Sequence, residues 1–124
     1  MTKLALIAAG GALGAVARYG LAGAVHQYVT PHFPWGTFVV NVAGCLLFGV
    51  AAGLTETRLT LDQTTRAFLL VGLLGAFTTF STFTFETFEL LRDGQLAAAA
   101  LNTGGQLALG FVALVDGVWL GRAL

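Results

Sequence analysis

The sequence predicts an all-α membrane protein with four transmembrane helices in each subunit. Three observations carry this. Hydrophobic residues make up 56% of the 124 residues and charged residues only 10%, where a soluble domain has about 25% charged residues to face water. The mean hydropathy is +0.83. The apolar residues also fall in four long runs that surround a helix on all sides, with no charged face opposite an apolar stripe.

The length suits one domain, read as a single transmembrane unit over residues 1–124. The first span covers about 4–25. A lysine, an apolar run and small residues at its start suit a signal peptide superficially. The apolar character continues past Ala17 to Val25 and three more apolar runs follow, so a retained first helix is the better reading. The loop 26–34 holds both prolines, and the second span covers about 35–54 with Trp35 at an interfacial position. A polar loop with Glu56, Arg58 and Asp62 leads to the third span, about 66–92. The fourth, about 96–120, ends near Trp119. Each run has the ~20 residues needed to cross the hydrocarbon core at about 1.5 Å per residue. An even number of spans puts both termini on one side with Lys3, Arg58, Arg66 and Arg122, against Arg18 and Arg92 toward the other. That bias orients the chain only weakly.

Several function classes are poorly supported. Six basic and six acidic residues leave no net charge and no basic patch for nucleic acid. The single Cys45 excludes an intrachain disulfide and a CxxC motif, and suits a small packed residue. His26 and His32 lack neighbouring carboxylates or thiols that would make a metal set. No Ser-His-Asp constellation and no phosphate loop with its lysine is present, so the chain does not read as an enzyme.

The third span differs from the others. A straight helix from Arg66 to Arg92 would reach about 40 Å, longer than a hydrocarbon core of about 30 Å. It contains Gly72, Gly75, Thr78, Thr79, Ser81, Thr82, Thr84 and Thr87. Glycine and β-branched residues weaken a helix, and hydroxyls can satisfy the backbone groups that an unwound turn frees. A break near Gly75–Thr79 is one reading; a continuous tilted helix whose hydroxyls bond their own turns is the other. Non-helical backbone at membrane depth belongs inside protein or along a watery path, where carbonyls face cations and helix N-termini face anions.

Three blocks then resemble the CrcB/Fluc family of fluoride channels. They are Gly10-Gly11-Ala12-Leu13-Gly14-Ala15 with Arg18-Tyr19; Trp35-Gly36-Thr37 with Val40-Asn41 and Gly44; and Gly72, Gly75 and Thr78-Thr79-Phe80-Ser81-Thr82-Phe83. The last is the most specific. The resemblance implies an antiparallel, dual-topology homodimer in the cell inner membrane, with the third helix broken near its middle. It implies two pores exporting toxic fluoride and one central structural sodium ion (Na+), bound by the backbone carbonyls of Gly75 and Thr78 from each copy. It also implies that Phe80 and Phe83 line the pore, with Asn41, Ser81 and Thr82 as polar groups on the path. The family's fourth helix usually adds hydroxyls; here it offers Thr103 and Gln106 and little polar beyond them.

These residue types suit fluoride. A strongly hydrated anion leaving water needs replacement donors. Amide and hydroxyl donors carry no fixed charge, so the ion can leave again. Phenylalanine edges, not faces, are electropositive. Blander roles stand beside these. Phe77, Phe80, Phe83 and Phe88 recur near helical spacing, as a lipid-facing or core stripe does. Arg18 either attracts anions at a vestibule or snorkels to the interface. Glu86, with Thr79, reads as accessory: a carboxylate in an anion path repels, and Glu86 can instead pair with a basic residue. Gly10, Gly14, Gly36 and Gly44 suit close helix packing, and Glu89–Arg92 suits a helix-end ion pair. Two rival functions are a small dual-topology multidrug or cation exporter and a non-transporting membrane assembly subunit. The first needs a carboxylate in its first helix, and Leu4–Val25 contains none. The second needs neither Asn41 nor a hydroxyl-rich third span.

Overall fold

The computed structural model describes residues 1–58 and 60–124. Among these the chain is all-helical: α1 (Thr2–His26), α2 (Trp35–Thr57), α3 (Gln63–Arg66), a π-helical stretch (Ala67–Leu74), α4 (Gly75–Phe77), α5 (Phe80–Arg92) and α6 (Leu96–Ala123). Four stretches are long and apolar enough to cross a membrane: Thr2–His26, Trp35–Thr57, Gln63–Arg92 and Leu96–Ala123. Large apolar side chains such as Val16, Phe80, Phe111 and Trp119 stand well exposed on the single chain. Hydrocarbon or a second copy, not water, is the surface such residues match.

The third span starts at Gln63, earlier than the expected Arg66, because Asp62 caps it. The Asp62 carboxylate accepts from the backbone N–H of Thr64 (3.1 Å) and Thr65 (3.4 Å), and from the Thr65 hydroxyl. That capping satisfies donors which a helix start leaves orphaned. The Thr65 hydroxyl, followed by the two amides, holds the Asp62 carboxyl below the usual carboxylate range. From Ala67 the turns widen to the π form, which the sequence does not announce. Between α4 and α5, Thr78 (φ −83°, ψ 159°) and Thr79 (φ −148°, ψ 118°) have extended backbone.

Glycines set the helix spacing. Gly10 and Gly14 of α1 meet the backbone of the π-helical stretch, and a Cβ on Gly72 would lie 2.8 Å from the Ile7 carbonyl oxygen. The α2–α6 pair is the most extensive contact in the chain. There Gly49 and Gly53 face Gly117 and Gly121 in small-xxx-small fashion, so the two backbones touch. This second pair of glycine rows was not among the sequence expectations. Gly44 makes room for the Thr78 methyl, and Gly36 for the His26 imidazole. The Arg122–Glu56 ion pair (2.7 Å) ties the ends of α6 and α2 on one side. On the other side Arg92 contacts Glu89 (3.8 Å) and Asp93 (3.2 Å).

A Cβ at Gly49 would collide with the Leu114 carbonyl, whereas one at Gly23 meets nothing within 4 Å. Gly49→Ala should therefore destabilise the protein by about 1–3 kcal/mol, while Gly23→Ala, inside α1 with open space around it, should not destabilise it and should add up to about 1 kcal/mol. Unfolding of both variants by titration with SDS in mixed micelles checks this. Equal midpoints would refute backbone contact between α2 and α6.

Candidate functional site

The two extended residues present polar backbone inside the helix bundle, and α2 answers them. Thr79 N–H donates to Asn41 Oδ1 at 2.8 Å, and Asn41 Nδ2 donates to Thr79 C=O at 3.0 Å. One side chain thus satisfies both polar groups of one residue, groups that are costly to leave unpaired in hydrocarbon. In a continuous helix Thr79 N–H would bond Gly75 C=O; here it is diverted to Asn41. Thr79 also caps α5, accepting at its Oγ1 from Thr82 N–H (3.3 Å) while donating to Thr82 Oγ1 (3.0 Å).

The network runs on into α6. Asn41 Nδ2 also donates to Gln106 Oε1 (2.7 Å), and Gln106 Nε2 donates to Asn102 Oδ1 (2.8 Å). Asn102 Nδ2 donates to Thr87 Oγ1 (2.9 Å), whose hydroxyl donates to the Phe83 carbonyl (2.8 Å). Asn102 and Gln106 are 0% and 8% exposed, the buried polar groups of α6. Asn102 is not singled out by the sequence; Thr87 stands there only among the hydroxyls of the third span, and Gln106 only as a polar residue of the fourth. The legible signal was two amides at i,i+4 in a predominantly apolar helix.

Two cavities flank the network. One, of about 240 Å³, is lined by residues that include Asn41, Cys45, Thr78, Thr79, Phe80, Phe83 and Gln106. Phe83 is buried and Phe80 is 77% exposed. Their rings tilt at 47° with centroids 5.6 Å apart. The other, of about 460 Å³, brings Arg18, His26, Thr37, Thr79, Thr82 and Glu86 together. There the Thr37 hydroxyl donates to Glu86 Oε1 at 2.7 Å, a partner the sequence did not suggest. Glu86 Oε2 and Arg18 Nε are buried without a protein partner. A third space of about 600 Å³ shares His26 and Glu86 and opens between the loops at 29–34 and 93–95. Of the remaining candidates, Ser81 is exposed and lies 3.5 Å from Thr79 Oγ1, and Gly75 is exposed; neither lines a cavity described here.

The helix ends give the site its polarity. A helix end leaves its last carbonyls, and a helix start its first N–H groups, without intrahelical partners, and such ends in general suit a cation and an anion respectively. Gly75 C=O has lost its usual donor, Thr79 N–H, to Asn41, which leaves an acceptor of the kind a cation can take up.

The family described as CrcB-like protein, Camphor Resistance (CrcB), matches residues 5–118. This chain belongs to the CrcB family. A protein of Maridesulfovibrio salexigens is 49% identical over all of the CrcB chain and 98% of its own length. One from Nitratidesulfovibrio vulgaris is 52% identical over 98% of both. One from Solidesulfovibrio magneticus is 48% identical over all of this chain and 99% of its own. Each of those proteins is named a fluoride-specific ion channel FluC.

In this CrcB protein Asn41→Ala should leave the Thr79 N–H and C=O without partners. Hydrogen–deuterium exchange at the Thr79 amide should accelerate at least about tenfold, the worth of one buried hydrogen bond. An unchanged rate would show that Asn41 does not hold that residue.

Proposed function

We propose that the protein is a passive, fluoride-selective channel of the cell inner membrane and not an enzyme, working as an antiparallel homodimer with two pores. One observation carries the reading: amide and hydroxyl side chains and two aromatic rings line a cavity beside extended backbone within the third span. The relatives' names, over nearly full-length matches, supply the ion. In this reading Thr78–Thr79 is the functional break of the third span.

The anion enters by the Arg18 vestibule, whose guanidinium raises its local concentration. Thr82, Ser81 and the N–H groups at the start of α5 replace part of its hydration shell. Phe80 and Phe83 present ring edges, which attract an anion without holding it as a fixed charge would. Asn41 shapes this step by fixing the Thr79 backbone. Glu86 is an accessory group, held by Thr37 beside the path, and repels anions if they crowd it. The exposure of Phe80 and the open side of its cavity support a second copy completing the pore wall. The Gly75 and Thr78 carbonyls of both copies would hold a structural sodium ion, which supplies positive potential between the subunits.

Fluoride efflux from proteoliposomes, read with a fluoride electrode beside chloride controls, tests the proposal. Wild-type protein should release fluoride quickly and chloride far more slowly. Phe80→Ile should slow fluoride release at least about tenfold, or about 1.4 kcal/mol of barrier. An unchanged rate would remove Phe80 from the path, and folded wild-type protein without fluoride flux would refute the channel.

A further inference from the structure

We propose that Asn102 is a positioning residue that aims the Gln106 side-chain amide at the permeating anion. The inference rests on the channel reading above and extends it to a residue that does not itself line the cavity.

Hydrogen-bond direction fixes how the Gln106 amide is turned. An amide side chain has an acceptor end and a donor end, and which end faces where is decided by its partners. The Thr79 backbone fixes Asn41: its N–H can only donate and its C=O can only accept, so Oδ1 faces the first and Nδ2 the second. The other Nδ2 hydrogen goes to Gln106 Oε1, which leaves Gln106 Nε2 facing Asn102 Oδ1. At the far end the Thr87 hydroxyl spends its only proton on the Phe83 carbonyl, so it can only accept from Asn102 Nδ2. The chain is therefore locked from both ends, and reversing Asn102 would set two donor groups against each other.

Counting protons shows what the lock achieves. Asn41 uses both Nδ2 hydrogens within the protein. Gln106 uses one, to Asn102, and keeps one. Gln106 lines the cavity with Phe80 and Phe83. Its remaining N–H is thus an uncharged donor at the aromatic pair, and Asn102 keeps it a donor. Without the Asn102 acceptor the Gln106 amide loses one of its two anchors and rotates. A wholly buried amide such as Asn102 is costly in a span, which fits a role beyond filling space. If the pair were only helix glue, the direction of its bonds would not affect the ion.

Unitary fluoride currents in planar bilayers, recorded for purified wild type, Asn102→Leu, Thr87→Val and Thr87→Ser, provide the test. Loss of fold lowers the number of active channels but not the current through each one. Asn102→Leu should lower the unitary current about tenfold, the effect of one lost hydrogen bond on a barrier. Thr87→Val, which unlocks the far end without touching Asn102, should lower it in the same direction, and Thr87→Ser, which restores the hydroxyl, should recover it. Wild-type unitary currents in both Asn102→Leu and Thr87→Val would overturn the inference while leaving the channel intact. No fluoride current in wild type would instead overturn the channel reading beneath it.

Discussion

The paired hydrogen bonds between Asn41 and the Thr79 backbone are the constraint on which the site depends. Extended backbone in a membrane span exposes groups that hydrocarbon cannot satisfy, at several kcal/mol each. Asn41 answers both groups at once, and in doing so takes the N–H that would otherwise close the helix onto Gly75. The freed Gly75 carbonyl follows directly from that diversion, and α5 starts immediately after the residue so held.

Helix spacing makes the contact possible. The Thr78 methyl occupies space beside α2 that only a glycine at position 44 leaves open. The glycine rows of α2 and α6 bring the backbones together, so Gln106 reaches Asn41 and a long apolar helix can carry two amides without leaving them unpaired. Small residues and polar bonds thus depend on each other: close approach shortens the bonds, and the bonds define which approach is used.

Much of this architecture was legible in the sequence because hydrocarbon imposes a simple rule. Four apolar runs with few charges can be little else than helices that cross it. The TTFSTF block carried the family resemblance, and the match over residues 5–118 shows the family. The weakness of the third span was also legible in Gly75, Thr78 and Thr79. The partners were not. Nothing local to Thr79 names Asn41, which lies 38 residues away, and nothing near Glu86 names Thr37. The amides of α6 looked like isolated polar residues because their value lies in the direction of their bonds. Direction is set across three elements. The π-helical turns at Ala67–Leu74 likewise have no composition signal, and the second glycine rows were hidden among seventeen glycines with no register to pair them.

On the proposed channel reading, fluoride sits in the cavity beside the Thr78–Thr79 segment. Solid-state NMR of protein in lipid, with nitrogen-15 at the Gln106 side-chain amide and carbon-13 in the Phe83 ring, measures it directly through dipolar coupling to fluorine-19. The account predicts fluoride-dependent dephasing of both labels, absent when chloride replaces fluoride. Dephasing at neither label, in samples that still pass fluoride, would place the path elsewhere and contradict the account.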